Sequence, residues 1–209
     1  MPVPNCRGNV STNQIERPTT ENTMTNPMQN QQNEIQLPGE ILSAYGKILK
    51  YPDEEYQEHV REWFEALDDY PEIRSHVQTF IQHVENASLG KLEELFVKTF
   101  EMNKKRPLEI GWHLYGEEYK RGQFLVKMRD LLREHGIQEN GELPDHLTYC
   151  LTVLPGLDTA DTEGFVRKYM HPAIDSIIEG FGEDENSYLL VVKSLSMLLE
   201  DAYGRSEEE

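Results

Sequence analysis

Residues 141–155 read GELPDHLTYCLTVLP, which sets Asp145 and His146 side by side after a proline and ahead of an apolar run. Carboxylate and imidazole are the usual parts of acid–base and metal sites. His146 and Cys150 also stand one helical turn apart, a spacing open to a thiolate–imidazole nucleophile. Glu55/His59 and Glu72/His76 share that spacing, and His113/Glu117 has it in reverse order. One-turn spacing puts both groups on one helix face, so each pair is placed to share a metal.

Each chemical reading has a plainer rival. With 38 Asp and Glu and 7 His in the chain, such pairs arise by chance. Each supplies two ligands, fewer than the three or four protein ligands of a zinc site. Cys150 lies among Leu147, Leu151 and Leu154, where a free cysteine behaves as a small buried hydrophobe. A reactive thiolate would need exposure and an oriented base. Asp145 fits a helix N-cap, its carboxylate accepting from free backbone N–H groups, with His146 as the first helical residue. The helix dipole there disfavours an imidazolium, so a neutral His146 is expected. Adjacent residues do not face one another on a helix. On residue chemistry alone the stretch is punctuation before a short apolar helix.

Other catalytic signatures are missing. In NASLGKLEE the residue five before Gly90 is Glu85 and Leu92 follows Lys91, so the Gly-Lys pair is not a phosphate-binding loop. Gly111, Gly116 and Gly122 do not make a dinucleotide-binding pattern, and no GxSxG, HExxH or CxxC occurs.

The elements that must position these residues read as helices. Ile41, Leu42, Tyr45, Ile48 and Leu49 form one apolar face. Pro52, Asp53 and Glu54 suit the first turn of a second helix, whose stripe is Tyr56, Val60, Trp63, Phe64 and Leu67. Ile73, Val77, Phe80, Ile81 and Val84 mark a third. Ser88 suits the cap of a fourth, through Leu92, Leu95, Phe96, Thr99 and Phe100. A short helix, a break near Gly116 and a long helix stopped by Gly136 should follow. Beyond the Pro-Asp-His step the pattern predicts a short helix to Pro155-Gly156, a helix over 161–181 kinked at Pro172, and a last helix over 185–203. No alternating pattern between hairpin turns appears, so the expected fold is all-α, an irregular helical globule with a single core.

Composition narrows the partners. The formal net charge of -18 repels nucleic acid and favours a basic partner. No apolar run spans a bilayer and none resembles a signal peptide, so a cytoplasmic protein without membrane insertion is expected. Cys6 and Cys150 are too differently placed to suggest a disulfide framework. Residues 1–36, rich in Asn, Gln, Thr and Pro, read as a disordered tail, 37–204 as the helical domain and 205–209 as an acidic end.

Taken in order, FVKTFEMN at 96–103, HLYGEEYKRGQFLVKM at 113–128 and GELPDHL at 141–147 resemble the NarJ-type nitrate reductase assembly chaperones, within the broader TorD/DmsD family. The shared features are an aromatic-x-x-x-Phe-acidic helix, His-x-x-Gly-Glu followed by Arg-Gly, and Glu-x-Pro-Asp-His. The resemblance implies a chaperone without catalysis or cofactor of its own. It implies binding of the N-terminal, twin-arginine-like segment of a molybdenum oxidoreductase catalytic subunit until the molybdenum cofactor is inserted. It places peptide recognition at Glu142, Pro144, Asp145 and His146, with Phe96, Phe100, Trp112, His113, Tyr115 and Arg121 as neighbours. A monomer or weak homodimer is expected. Gly111-Trp112 and Glu101 depart from the usual pattern and leave the client open. The rivals are a small metal- or nucleotide-dependent hydrolase and a helical adaptor subunit.

Overall fold

A computed structural model describes residues 37–205, so the predicted tail and all but the first residue of the acidic end lie outside the described residues. The described chain is all-α. It runs α1 (Gly39–Ile48), α2 (Tyr56–Ala66), α3 (Pro71–Asn86), α4 (Leu89–Phe96), α5 (Ile110–Tyr115) and α6 (Tyr119–Glu134). Then come α7 (Leu147–Val153), α8 (Thr159–Phe165), α9 (His171–Glu179) and α10 (Tyr188–Tyr203). α10 packs on α3 and α9, and α1 packs on α2 and α7. Tyr188, Val191, Val192, Leu195, Leu198 and Leu199 of α10 are fully buried.

The stripes read from sequence become one aromatic spine. Tyr45 meets Trp63 edge-on at 5.1 Å, Trp63 meets Phe80 at 6.0 Å, and Phe80 meets Tyr188 at 5.3 Å. Tyr188 then meets Phe100 at 5.0 Å and Phe96 at 5.9 Å. Such tilted pairs add roughly 0.5–1.5 kcal/mol each beyond their burial. The buried phenols find partners: Tyr45 donates to Ser194 Oγ at 2.9 Å, and Tyr56 and Tyr188 share a 2.8 Å bond.

Several ends differ from expectation. α2 begins at Tyr56, because Asp53 instead makes a turn, its Oδ1 accepting the Glu55 N–H at 3.0 Å. Ser88 stands at the N-cap of α4 without a side-chain cap bond. α4 runs into a π turn over Val97–Glu101, where the Met102 N–H reaches back to the Val97 carbonyl at 2.8 Å. The bend expected at Pro172 is a π turn over Val166–Met170 just ahead of it. Proline cannot donate to the preceding turn, and the wider turn absorbs the mismatch. The break at Gly116 and the stop at Gly136 stand as read. Gly136 closes α6 with a Schellman pair: Ile137 donates to Leu132 at 2.8 Å and Gly136 to Arg133 at 3.1 Å.

Gly116 has φ 56° and ψ -130°, a conformation closed to side chains. Gly116→Ala should therefore cost about 1–3 kcal/mol in urea unfolding. Gly122 lies in α6 with open space around it, so Gly122→Ala should gain up to about 1 kcal/mol.

Candidate peptide-binding site

Two loops meet at the start of α5 and α7. The Leu147 N–H donates to the Leu108 carbonyl at 2.8 Å, and the Ile110 N–H donates to the Asp145 carbonyl at 3.0 Å. Glu109 and His146 thereby form an isolated antiparallel bridge. Behind it the Asp145 carboxylate accepts the Gly111 N–H at 3.1 Å. A Cβ on residue 111 would lie 2.5 Å from that oxygen and 2.9 Å from the Phe124 ring, so the close approach requires glycine. Arg121 Nε stands 3.8 Å from the same oxygen, with the guanidinium 5.3 Å above the Trp112 ring.

This arrangement corrects the capping assignment. Asp145 is not the N-cap of α7; it is 0% exposed and bonds across to α5. His146 is the N-cap, its Nδ1 accepting from the Thr148 N–H at 3.4 Å and bonded to Thr148 Oγ1 at 2.8 Å. Since Nδ1 accepts, the neutral ring carries its proton on Nε2. His146 is neutral as expected, but the cause is burial first and the Lys50 charge second, which bring its pKa to about 4. Burial raises the Asp145 pKa, Arg121 pulls it down, Glu109 pushes it up, and the balance is upward. The pair is buried: Asp145 is 0% and His146 6% exposed, and Pro144 before them is buried too. Cys150 is buried, as read, and burial holds its thiol well above the ordinary range.

In front of the bridge lies a cleft of about 270 Å³. Leu49, Phe96, Phe100, Pro107 and Leu108 back it, but the two rings and two leucines are at most 4% exposed, so the surface it offers is mostly polar; His146 also lines it. Glu101, Glu109 and Glu142 line it with Lys50 and Tyr51. Tyr51 is 48% exposed and meets Phe96 edge-on at 5.9 Å. Partial burial raises the Glu142 pKa, and the charges of Glu109 and Glu101 raise it further. The π turn carries Phe100 and Glu101 here, one on the core side and one exposed.

The sequence-derived set is thus divided. Phe96, Phe100, Glu142 and His146 share the cleft, while Pro144, Asp145 and Arg121 lie in its support. Trp112 and His113 line a different hollow with Lys104 and Glu179. His113 ties α5 to its surroundings, Nε2 donating to the Pro107 carbonyl at 2.7 Å and Nδ1 accepting from Ser176 Oγ at 3.0 Å. Tyr115 packs on Phe124 at 5.6 Å. Sequence reasoning missed Lys50, Tyr51, Glu101 and Glu109 as site residues. Glu101 was visible as the acidic end of the aromatic helix, whereas Lys50 and Tyr51 carried no signal. Of the helical pairs, His59 Nε2 lies 3.9 Å from Glu55 Oε2 and forms a surface pair. His76 is half-buried, and its Nε2 is shielded from solvent.

The fold defines an all-α protein, and comparison with known proteins names the family. Residues 51–184 match the nitrate reductase delta subunit family, and the chain belongs to it. It is 26% identical over 167 residues to the nitrate reductase molybdenum cofactor assembly chaperone NarJ of Escherichia coli K12, covering 77% of this chain and 70% of that one. It is 26% identical over 132 residues to a protein of Bacillus subtilis 168 to which the NarJ assembly-chaperone role is ascribed, covering 62% of this chain and 72% of that one. A crystal structure ascribed to a redox enzyme maturation protein of Archaeoglobus fulgidus shares the fold, with a TM-score of 0.58 at 17% identity over 79% of this chain and 95% of that one. The chain is a NarJ-type chaperone and not an enzyme, as its relatives are assembly chaperones. No helix among the described residues is long and apolar enough to cross a membrane.

Asp145→Ala removes a buried acceptor and should cost about 1–3 kcal/mol in urea unfolding. Asp145→Asn keeps an acceptor for Gly111, sheds the buried charge and should cost less than about 1 kcal/mol. Equal losses would show that the bond to Gly111 is unimportant. His146 has its pKa depressed from 6.5 to about 4, so the unfolded chain takes up a proton first as pH falls. Its contribution is intact above 6.5 and is lost toward 4. Between about pH 7 and about pH 5 this should remove about 2 kcal/mol. His146→Asn keeps a cap acceptor and should flatten that part of the stability–pH curve.

Proposed function

We propose that this protein is a cytoplasmic assembly chaperone for a molybdenum oxidoreductase such as a respiratory nitrate reductase. It binds the N-terminal, twin-arginine-like segment of the catalytic subunit and keeps the apo-enzyme competent for molybdenum cofactor insertion. One observation carries the reading: Glu101, Glu109 and Glu142 converge on a cleft backed by Phe96 and Phe100 and flanked by the half-exposed Tyr51 ring. A segment with an apolar side chain beside arginines matches both parts. Burying one such side chain contributes roughly 1.5–3 kcal/mol. Exposed ion pairs add less than about 1 kcal/mol each, so the carboxylates select and steer more than they hold. The net charge of -18 speeds encounter with a basic segment. His146 Nε2–H adds a neutral donor for a peptide carbonyl, and the Asp145–Gly111 contact fixes the loops that present it. The relatives' NarJ descriptions supply the class of client.

Calorimetric titration with synthetic N-terminal peptides of candidate catalytic subunits should give saturable binding that weakens with salt. The triple variant Glu101→Gln/Glu109→Gln/Glu142→Gln should bind about tenfold more weakly and with a shallower salt dependence. Tyr51→Ala, at a half-exposed position, should weaken binding while lowering stability by no more than about 1.5 kcal/mol, the worth of its edge-on pair with Phe96. A folded protein that binds none of the peptides would overturn the reading.

A further inference from the structure

A second groove, of about 330 Å³, lies between α6 and the segment running from α8 into its π turn. Leu131, Leu157 and Phe165 give it an apolar lining, and Lys127, Lys168 and Tyr169 stand around it. The lysines come from different elements yet converge. Each ammonium lies 5.2 Å from the Tyr169 ring centroid, and Lys127 Nζ donates to the phenol oxygen at 3.3 Å. Lys47 is paired to Glu62 and Lys98 to Glu94, whereas Lys127 and Lys168 meet at one aromatic ring. Lys127 and Lys168 have no carboxylate within ion-pair distance among the described residues, although Asp161 also lines the groove. Burial pushes the Tyr169 phenol up, and the two lysines more than offset this, leaving it below its ordinary value. Gly164 adds open space, with no atom within 4 Å of where a Cβ would stand.

We propose that this groove is a second docking surface, and that its occupant is an acidic amphipathic segment of a partner polypeptide. An apolar side chain of the segment sits on Leu131, Leu157 and Phe165, and flanking carboxylates meet Lys127 and Lys168. Although the net charge of -18 opposes an acidic partner at a distance, charge complementarity within the groove selects the occupant: two unpaired ammonium groups repel a basic segment and attract an acidic one at contact. The apolar lining selects a peptide over a small anion. Residues 206–209, Ser-Glu-Glu-Glu, carry the charge but no apolar side chain to fill the groove. The surface is separate from the aromatic cleft, and the proposal does not rest on the identity of the client there.

The test is a nuclear magnetic resonance titration of the full chain with a synthetic peptide bearing leucine and phenylalanine between glutamates. Saturable shifts are expected at Lys127, Leu131, Gly164 and Lys168, while Tyr51 and Glu142 stay put. The Tyr169 phenol should ionise at higher pH with peptide bound, since carboxylates neutralise the lysines that favour the phenolate. Lys127→Gln/Lys168→Gln should weaken binding about tenfold with the fold unchanged. Gly164→Leu should block the groove with no change of charge. Absence of shifts there, or equal affinity in the double variant, would overturn the proposal. So would equal shifts with inorganic phosphate, which would mark an anion site. Loss of the groove's native shifts on deleting 206–209, without peptide, would assign it to the chain's own end and overturn it too.

Discussion

The site depends on a carboxylate held away from water. Asp145 accepts the Gly111 N–H from a distance that leaves no room for a side chain at 111. Two backbone bonds beside it, Leu147 to Leu108 and Ile110 to Asp145, fasten the loop before α5 to the loop before α7. A buried carboxylate is costly unless hydrogen-bonded and paired. Here one amide bond and a guanidinium at 3.8 Å offset that cost in part, and its other oxygen has no partner among the described residues. The fastening fixes where Glu109, Glu142 and His146 stand, and those residues line the cleft.

From that point the core and the cleft are continuous. The aromatic spine passes from Tyr45 and Trp63 through Phe80 and Tyr188 to Phe100 and Phe96, and Tyr51 closes it at the surface. Of these rings Tyr51, Phe96 and Phe100 border the cleft, and the others lie in the core behind them. A binding wall built from core side chains is held rigid by its packing, so less entropy is lost when a ligand orders against it. The π turn at the end of α4 divides the labour, with Phe100 buried and Glu101 exposed.

Electrostatics gives this protein two unlike faces within one acidic surface. The cleft gathers like charges, and the neighbouring glutamates raise the Glu142 pKa. The groove at Tyr169 gathers the opposite sign. His146 is occupied as a cap, and Cys150 is a buried thiol. The family relationship, which names assembly chaperones, accords with such a binding surface.

The sequence by itself determined the all-α class, the helix faces, the break at Gly116 and the stop at Gly136. Those follow from local periodicity and backbone preference, which short stretches encode in full. The ordered motifs at 96–103, 113–128 and 141–147 also determined the family. Tertiary structure decided what the Pro-Asp-His step does. Local rules made Asp145 a cap because they weigh the nearest N–H groups, and Gly111 lies 34 residues away. Long-range packing gave the cap to His146, buried both residues, and separated Trp112, His113 and Tyr115 from Phe96 and Phe100. Lys50, Tyr51 and Glu109 joined the site for the same reason: a cleft is made by elements meeting in space, and no single stretch of chain records that meeting.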